Sequence, residues 1–209
     1  MKQLPKEWAE TYEARKEAIR RRLQDFAEVP ASEHFYELAF CILTPQSSAR
    51  NAEATIAELI DNGFLEQGFD PTPHLRDPSH YIRFHITKGK RLLHVREVFP
   101  ELAPHLSNRT LPPQALRELV LASIPGLGMK ESSHFLRNIG VTSLAILDRH
   151  IYRHLTRLKV IEEPPKSGPT KKRYLEIEEA WHKFANDVGI SLDELDLLFW
   201  SMETGEIRK

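Results

Sequence analysis

With 209 residues, 41% of them apolar and 28% charged, the chain can fill one sizeable core or two small helical lobes and is too hydrophobic for bulk disorder. Its single cysteine, Cys41, excludes an internal disulfide, a four-cysteine zinc site and a four-cysteine iron–sulfur cluster. The net charge of −1 gives no global sign of a nucleic-acid partner, no apolar run reaches the length of a membrane span, and the polar N-terminus is no secretory signal, so a cytoplasmic location is expected.

The periodicity is helical from end to end. Leu4-Pro5 opens an amphipathic stretch that runs to about Glu28, with proline tolerated in the first turn. Phe35, Leu38, Ala39, Ile42 and Leu43 fall on one stripe, which makes this segment a core helix. Another helix is expected from near Ser47 to Gly63, a C′ glycine. Asp77-Pro78 and Thr87 read as two more helix starts. The stretch Tyr81–Arg96 holds Arg83, Lys88, Lys90, Arg91 and Arg96 with no acid, either a solvated face or a phosphate-contacting patch. Leu116, Leu119 and Val120 point a further helix to the core. Glu162–Lys172, rich in proline, is the clearest linker, and Ser191 with Glu194 forms a capping box for a last helix that Gly205 stops. No strand-like alternation and no internal repeat appears, so the fold is expected to be all-α.

Between two of these helices lies "IPGLGMKESSHFL". Pro125, Gly126 and Gly128 build a tight turn whose glycines can take backbone angles closed to other residues and let another backbone approach. The N–H groups at the start of the next helix suit an anion such as a DNA phosphate, although an ordinary helix–helix turn also favours glycine. Lys130 then stands in the first turn of that helix, at the wrong end of the dipole for an ammonium. A structural lysine gains nothing there, whereas a nucleophilic one does, because only the neutral amine attacks carbon. Eighteen residues on, Asp148 follows the apolar run Leu144–Leu147 and precedes another helix. It reads as an N-cap, or as a fixed carboxylate able to take a proton or stabilise a developing cation.

The order of hairpin, lysine and aspartate resembles the helix-hairpin-helix DNA glycosylases. "IPGLGMKESSHFLRNIG", "AILDRH", "CILTPQSSARNA" and "DLLFWSMETGEIRK" are most similar to the archaeal-type 8-oxoguanine DNA glycosylase/lyases, over about Phe35 to Lys209. This resemblance implies two helical lobes with a lesion cleft between them. One is a barrel over 31–158 that carries the hairpin near 116–140; the other joins 1–30 to 159–209. It implies base excision repair of double-stranded DNA containing oxidised guanine, by a monomeric prokaryotic enzyme. The damaged nucleotide is flipped out, Lys130 displaces the base through a Schiff base, and β-elimination cuts the strand, with Asp148 assisting. Trp200 is implied to stack on the flipped base, and the terminal Lys209 to reach it through its α-carboxylate. Gln46 is implied to fill the gap left in the duplex, with Ser47, Ser48 and Arg50 as DNA-backbone contacts. Asp196 either receives a donor from the base or anchors a helix end. No cofactor is implied, beyond a monovalent cation that the hairpin could seat.

Three rival readings remain. His150 and His154 have a spacing that can bind zinc, but Ile151 stands where the best-known hydrolase pattern has glutamate, and no third ligand is evident. A non-catalytic helix-hairpin-helix module would leave Lys130 and Asp148 unexplained. An endonuclease III-like lyase for another oxidised base disagrees with the missing cysteine cluster and the "SMETGEIRK" ending.

Overall fold

The computed structural model describes residues 3–109 and 111–207, and among them every regular element is helical. In chain order these are α1 (Lys6–Ala27), α2 (His34–Leu43), α3 (Ala49–Asp61), α4 (Phe64–Gln67), α5 (Thr72–Leu75), α6 (His85–Asn108), α7 (Pro113–Ser123), α8 (Met129–Asn138), α9 (Arg149–Arg157), α10 (Lys171–Val188) and α11 (Leu192–Thr204), with one 3₁₀ turn over Ala31–Glu33. Among the described residues no helix is long and apolar enough to cross a membrane. The chain divides into two compact units: residues 29–135, here the central unit, and residues 1–28 with 136–209, the terminal unit.

In the central unit α2 is buried on all sides, including Phe40 and Cys41 outside the predicted stripe. Phe35 packs edge-on to Phe99 of α6, with ring centroids 5.4 Å apart, and lies 6.1 Å from Phe64 of α4. α3 starts one residue later than expected: Ser48 is its N-cap and accepts a hydrogen bond from the Asn51 amide, while Asn62 and Gly63 (φ 65°) end it. Asp77 starts no helix. Its carboxylate accepts from the Ser79 amide at 2.8 Å and the Ser79 hydroxyl at 2.6 Å, a local turn that competes with helix initiation. α6 begins at His85 rather than Thr87, after Phe84 has taken a left-handed backbone conformation (φ 59°). Leu116 and Val120 of α7 are buried, whereas Leu119 is only partly so. Beside them Arg117 is fully buried and donates to the Ser133 hydroxyl of α8 at 3.1 Å, tying the two helices of the hairpin together.

In the terminal unit the capping box at Ser191 and Glu194 forms as expected and does more than cap. Glu194 Oε1 also accepts from Arg20 Nε at 2.8 Å and the Tyr12 hydroxyl at 3.1 Å, which fastens α1 along α11. Trp181 of α10 stacks with Phe199 of α11, and His154 of α9 stacks on that same phenyl ring at 4.8 Å. α9 therefore buries Ile151, Tyr152, His154 and Leu155 within this unit. The expected lobe boundary near residue 158 differs from this division for that reason: residues 136–158 group with the terminal segments, not with the barrel.

One lysine is buried in the central unit. Lys88 of α6 is 3% exposed, and its ammonium donates to the carbonyls of Leu43 and Pro45, each at 2.7 Å, with the Ser47 hydroxyl at 3.3 Å. Burial, together with the nearby cations Arg91 and Arg83, lowers its pKa from 10.5 to about 8. The groups facing it from α2 and the following turn are these uncharged oxygens. Between pH 8 and 10.5 the folded protein therefore binds fewer protons at this site than the unfolded chain, so the cost of the buried charge, complete below pH 8, is relieved as pH rises. The stability of the wild type relative to Lys88→Met should increase by about 3 kcal/mol across that window in urea unfolding. A difference that stays flat with pH would contradict the burial argument.

Candidate functional site

The central unit presents the hairpin. Leu127 turns back with its amide on the Ile124 carbonyl at 3.1 Å, leaving Pro125, Gly126 and Gly128 exposed. Gly126 has φ 82°, where a side chain would be strained, and a Cβ there would lie 2.3 Å from a guanidinium nitrogen of Arg91. Gly128 does not use a positive φ, and a Cβ there would meet only the mobile carboxylate end of Glu131, with Oε2 at 2.7 Å. Lys130 follows in the first turn of α8. Its side chain is 27% exposed, with Nζ 4.0 Å from Glu131 Oε1.

The basic stretch of α6 separates into different jobs. Arg91 lies against the hairpin, and with Lys90, His94, Ile86, Thr87 and Pro125 it lines a surface depression of about 270 Å³. Arg96 is structural: it donates to the carbonyls of Leu65 at 2.6 Å and Glu66 at 2.9 Å. Lys88 is the buried clamp just described. Two of the five cations, Lys88 and Arg96, are thus taken up by backbone carbonyls of the protein itself.

The predicted "TPQSSAR" residues divide in the same way. Gln46 is exposed and holds a left-handed backbone (φ 57°), unusual for a residue with a side chain. The Ser47 hydroxyl accepts from the Arg83 amide at 3.0 Å and is in reach of Lys88, and the Ser48 hydroxyl caps α3, so both serve the fold. Arg50 is exposed on the first turn of α3.

The terminal unit holds the remaining candidates. Asp148 is the N-cap of α9, accepting from the amides of His150 at 2.8 Å and Ile151 at 2.9 Å. Both bonds fall on Oδ1, so the cap leaves Oδ2 for other work. Residues 192–199 and Ser201 are buried, but Trp200 between them is only partly so, with its ring 5.3 Å from the His150 ring. Glu203, one turn further along α11, pairs with His150 Nδ1 at 3.3 Å, with His154 Nε2 at 3.1 Å and with Arg153. Burial opposes the charge of Glu203, yet the bonds from His150 and Arg153 hold its carboxyl below the usual range. The two histidines singled out for zinc thus converge on one carboxylate, and among the described residues no group of three ligands is arranged for a metal ion. Asp196 is 2% exposed and ion-paired with buried Arg137 at 3.4 Å. Lys209 lies outside the described residues. Lys130 and Asp148 belong to different units, joined in sequence through α8.

The chain is similar to known proteins along nearly its whole length. A family model described as 8-oxoguanine DNA glycosylase matches residues 19–190. An 8-oxoguanine DNA glycosylase/AP lyase of Fusobacterium nucleatum is 43% identical over 83% of this chain and 81% of its own length. One from Korarchaeum cryptofilum is 35% identical over 93% and 91%. Among solved structures, the 8-oxoguanine DNA glycosylase of Thermotoga maritima superimposes with a TM-score of 0.84 at 33% identity, covering 98% of this chain and 97% of the other. The Methanocaldococcus jannaschii 8-oxoguanine glycosylase/lyase, in complex with a 15mer DNA containing 8-oxoguanine, gives 0.83 at 31% identity, covering 96% and 98%. With an exposed glycine hairpin, a lysine opening the next helix and relatives of this similarity along nearly its whole length, the chain belongs to the helix-hairpin-helix 8-oxoguanine DNA glycosylase family.

Proposed function

We propose that the protein removes 8-oxoguanine from duplex DNA and then cuts the strand at the resulting abasic site. The observation that carries this reading is Lys130, partly exposed in the first turn of α8 directly after the exposed hairpin. The hairpin amides and Arg91 hold a phosphate beside the lesion, and the flipped sugar arrives at the lysine. The neutral amine attacks C1′, forming a C–N bond as the bond to the base breaks with its electrons on the departing base, which takes up a proton. The C1′–O4′ bond then breaks, opening the sugar ring with O4′ taking up a proton from the nitrogen side, and leaves an iminium that acidifies the C2′ hydrogen; loss of that hydrogen as a proton expels the 3′ phosphate by β-elimination. Asp148 takes the ammonium proton of Lys130 and stabilises positive charge on the sugar through the oxygen its cap leaves over. Trp200 stacks on the extruded base, a contact worth about 1–3 kcal/mol, and Gln46 enters the gap in the duplex. This chemistry draws on no cofactor, although the hairpin carbonyls also suit a monovalent cation. The setting is the prokaryotic cytoplasm, and the enzyme acts as a monomer.

Asparagine caps helices as well as aspartate does but carries no charge. Asp148→Asn should therefore melt near the wild type while excising 8-oxoguanine from a defined duplex about 10²–10⁴-fold more slowly in single turnover. A rate near the wild type would reduce Asp148 to a cap and remove it from the mechanism. Lys130→Ala in the same assay should release no base. Arg91→Ala tests the phosphate contact: it should weaken binding to lesion and undamaged duplex alike and lower the salt slope of log K by about 1. An unchanged slope would mean that the guanidinium packs on Gly126 without touching DNA.

A further inference from the structure

The turn that presents Gln46 is built on a buried charge. Leu43 ends α2, so its carbonyl has no partner in the next turn of the helix. The chain closes there through the Ser47 amide on the Thr44 carbonyl at 2.9 Å, with Gln46 left-handed between them. An ammonium has three hydrogens, and Lys88 has three acceptors: the carbonyls of Leu43 and Pro45 and the Ser47 hydroxyl. Two of these residues flank Gln46 directly. Ser47 is held from a second side by the Arg83 amide, and the Lys88 amide itself bonds the Phe84 carbonyl at 2.9 Å. A strained backbone persists only where its surroundings over-determine it, and around Gln46 that determination converges on one side chain. An apolar side chain of the same length would leave these three acceptors without the donor that Lys88 supplies.

We propose that Lys88 is the positioning residue of the gap-filling loop: its ammonium holds Pro45 and Ser47 so that Gln46 keeps the left-handed turn that projects its side chain toward DNA. This rests on the reading of Gln46 given above. Lys88 touches no substrate atom and acts only through the loop, so its loss matters where a base pair must be opened and not where the sugar is already accessible.

The test is a double-mutant cycle of Gln46→Ala, Lys88→Met and the double variant. Single-turnover excision on an 8-oxoguanine·cytosine duplex is read beside β-elimination at a preformed abasic site in a single strand. Each single variant should excise from the duplex about tenfold more slowly, the double no more slowly than the worse single, and Lys88→Met should cleave the single strand within about twofold of the wild type. Losses that multiply in the double variant, or a Lys88→Met defect of equal size on both substrates, would overturn the positioning role while leaving the Gln46 reading intact. A Gln46→Ala enzyme as fast as the wild type would instead overturn the Gln46 reading, and the positioning role with it. If Lys88→Met does not fold, Ser47→Ala, which removes one of the three acceptors, takes its place in the cycle with the same two outcomes.

Discussion

The exposed hairpin and Lys130, which opens the next helix, keep a fixed relation only if α7 and α8 keep a fixed spacing. The side chain that ties them is Arg117, a fully buried guanidinium on α7 that donates to Ser133 on α8. A guanidinium taken out of water is costly unless its hydrogens are used, so its bond to Ser133 fixes how α7 and α8 meet. The turn between the helices needs only a few residues as a result, and Gly126 absorbs the reversal with a positive φ. Lys130 then falls in the first turn of α8, one helical turn from Ser133 and directly after the exposed Pro125, Gly126 and Gly128.

A near-neutral chain serves a polyanionic substrate by placing a few cations well. Arg91 reaches the hairpin from α6, while Lys88 and Arg96 of the same stretch are spent on backbone carbonyls inside the protein. In the terminal unit the acids do corresponding work. Glu194 fastens α1 to α11, Asp196 pairs with Arg137, and Glu203 gathers His150, Arg153 and His154 beside Trp200. Glu203 therefore links the helix that Asp148 caps to the helix that carries Trp200, so the two candidates of this unit share one support.

What could be read from the sequence was what short-range physics decides. The caps at Asp148 and Ser191, the C′ glycines at Gly63 and Gly205, the all-helical periodicity and the hairpin with its lysine are local patterns, and they stand where expected. The fate of the basic stretch was not legible, because whether a lysine meets solvent, a phosphate or a buried carbonyl depends on chain more than forty residues away, as for Lys88 and Leu43. Asp77 misled because an Asx turn and an N-cap share one sequence signature. Asp196 could not be placed because Arg137 stands 59 residues from it. The grouping of α9 with the terminal segments likewise rests on its contact with Phe199, far along the chain.

On the proposed mechanism Lys130 forms a covalent bond to the sugar of an 8-oxoguanine nucleotide. The most direct measurement is borohydride reduction during turnover on a duplex with a single 8-oxoguanine, followed by digestion and mass mapping of the cross-linked peptide. The account predicts one adduct, on the peptide containing Lys130, that is absent from the Lys130→Ala protein. An adduct on another lysine, or base release with nothing trapped, would contradict it.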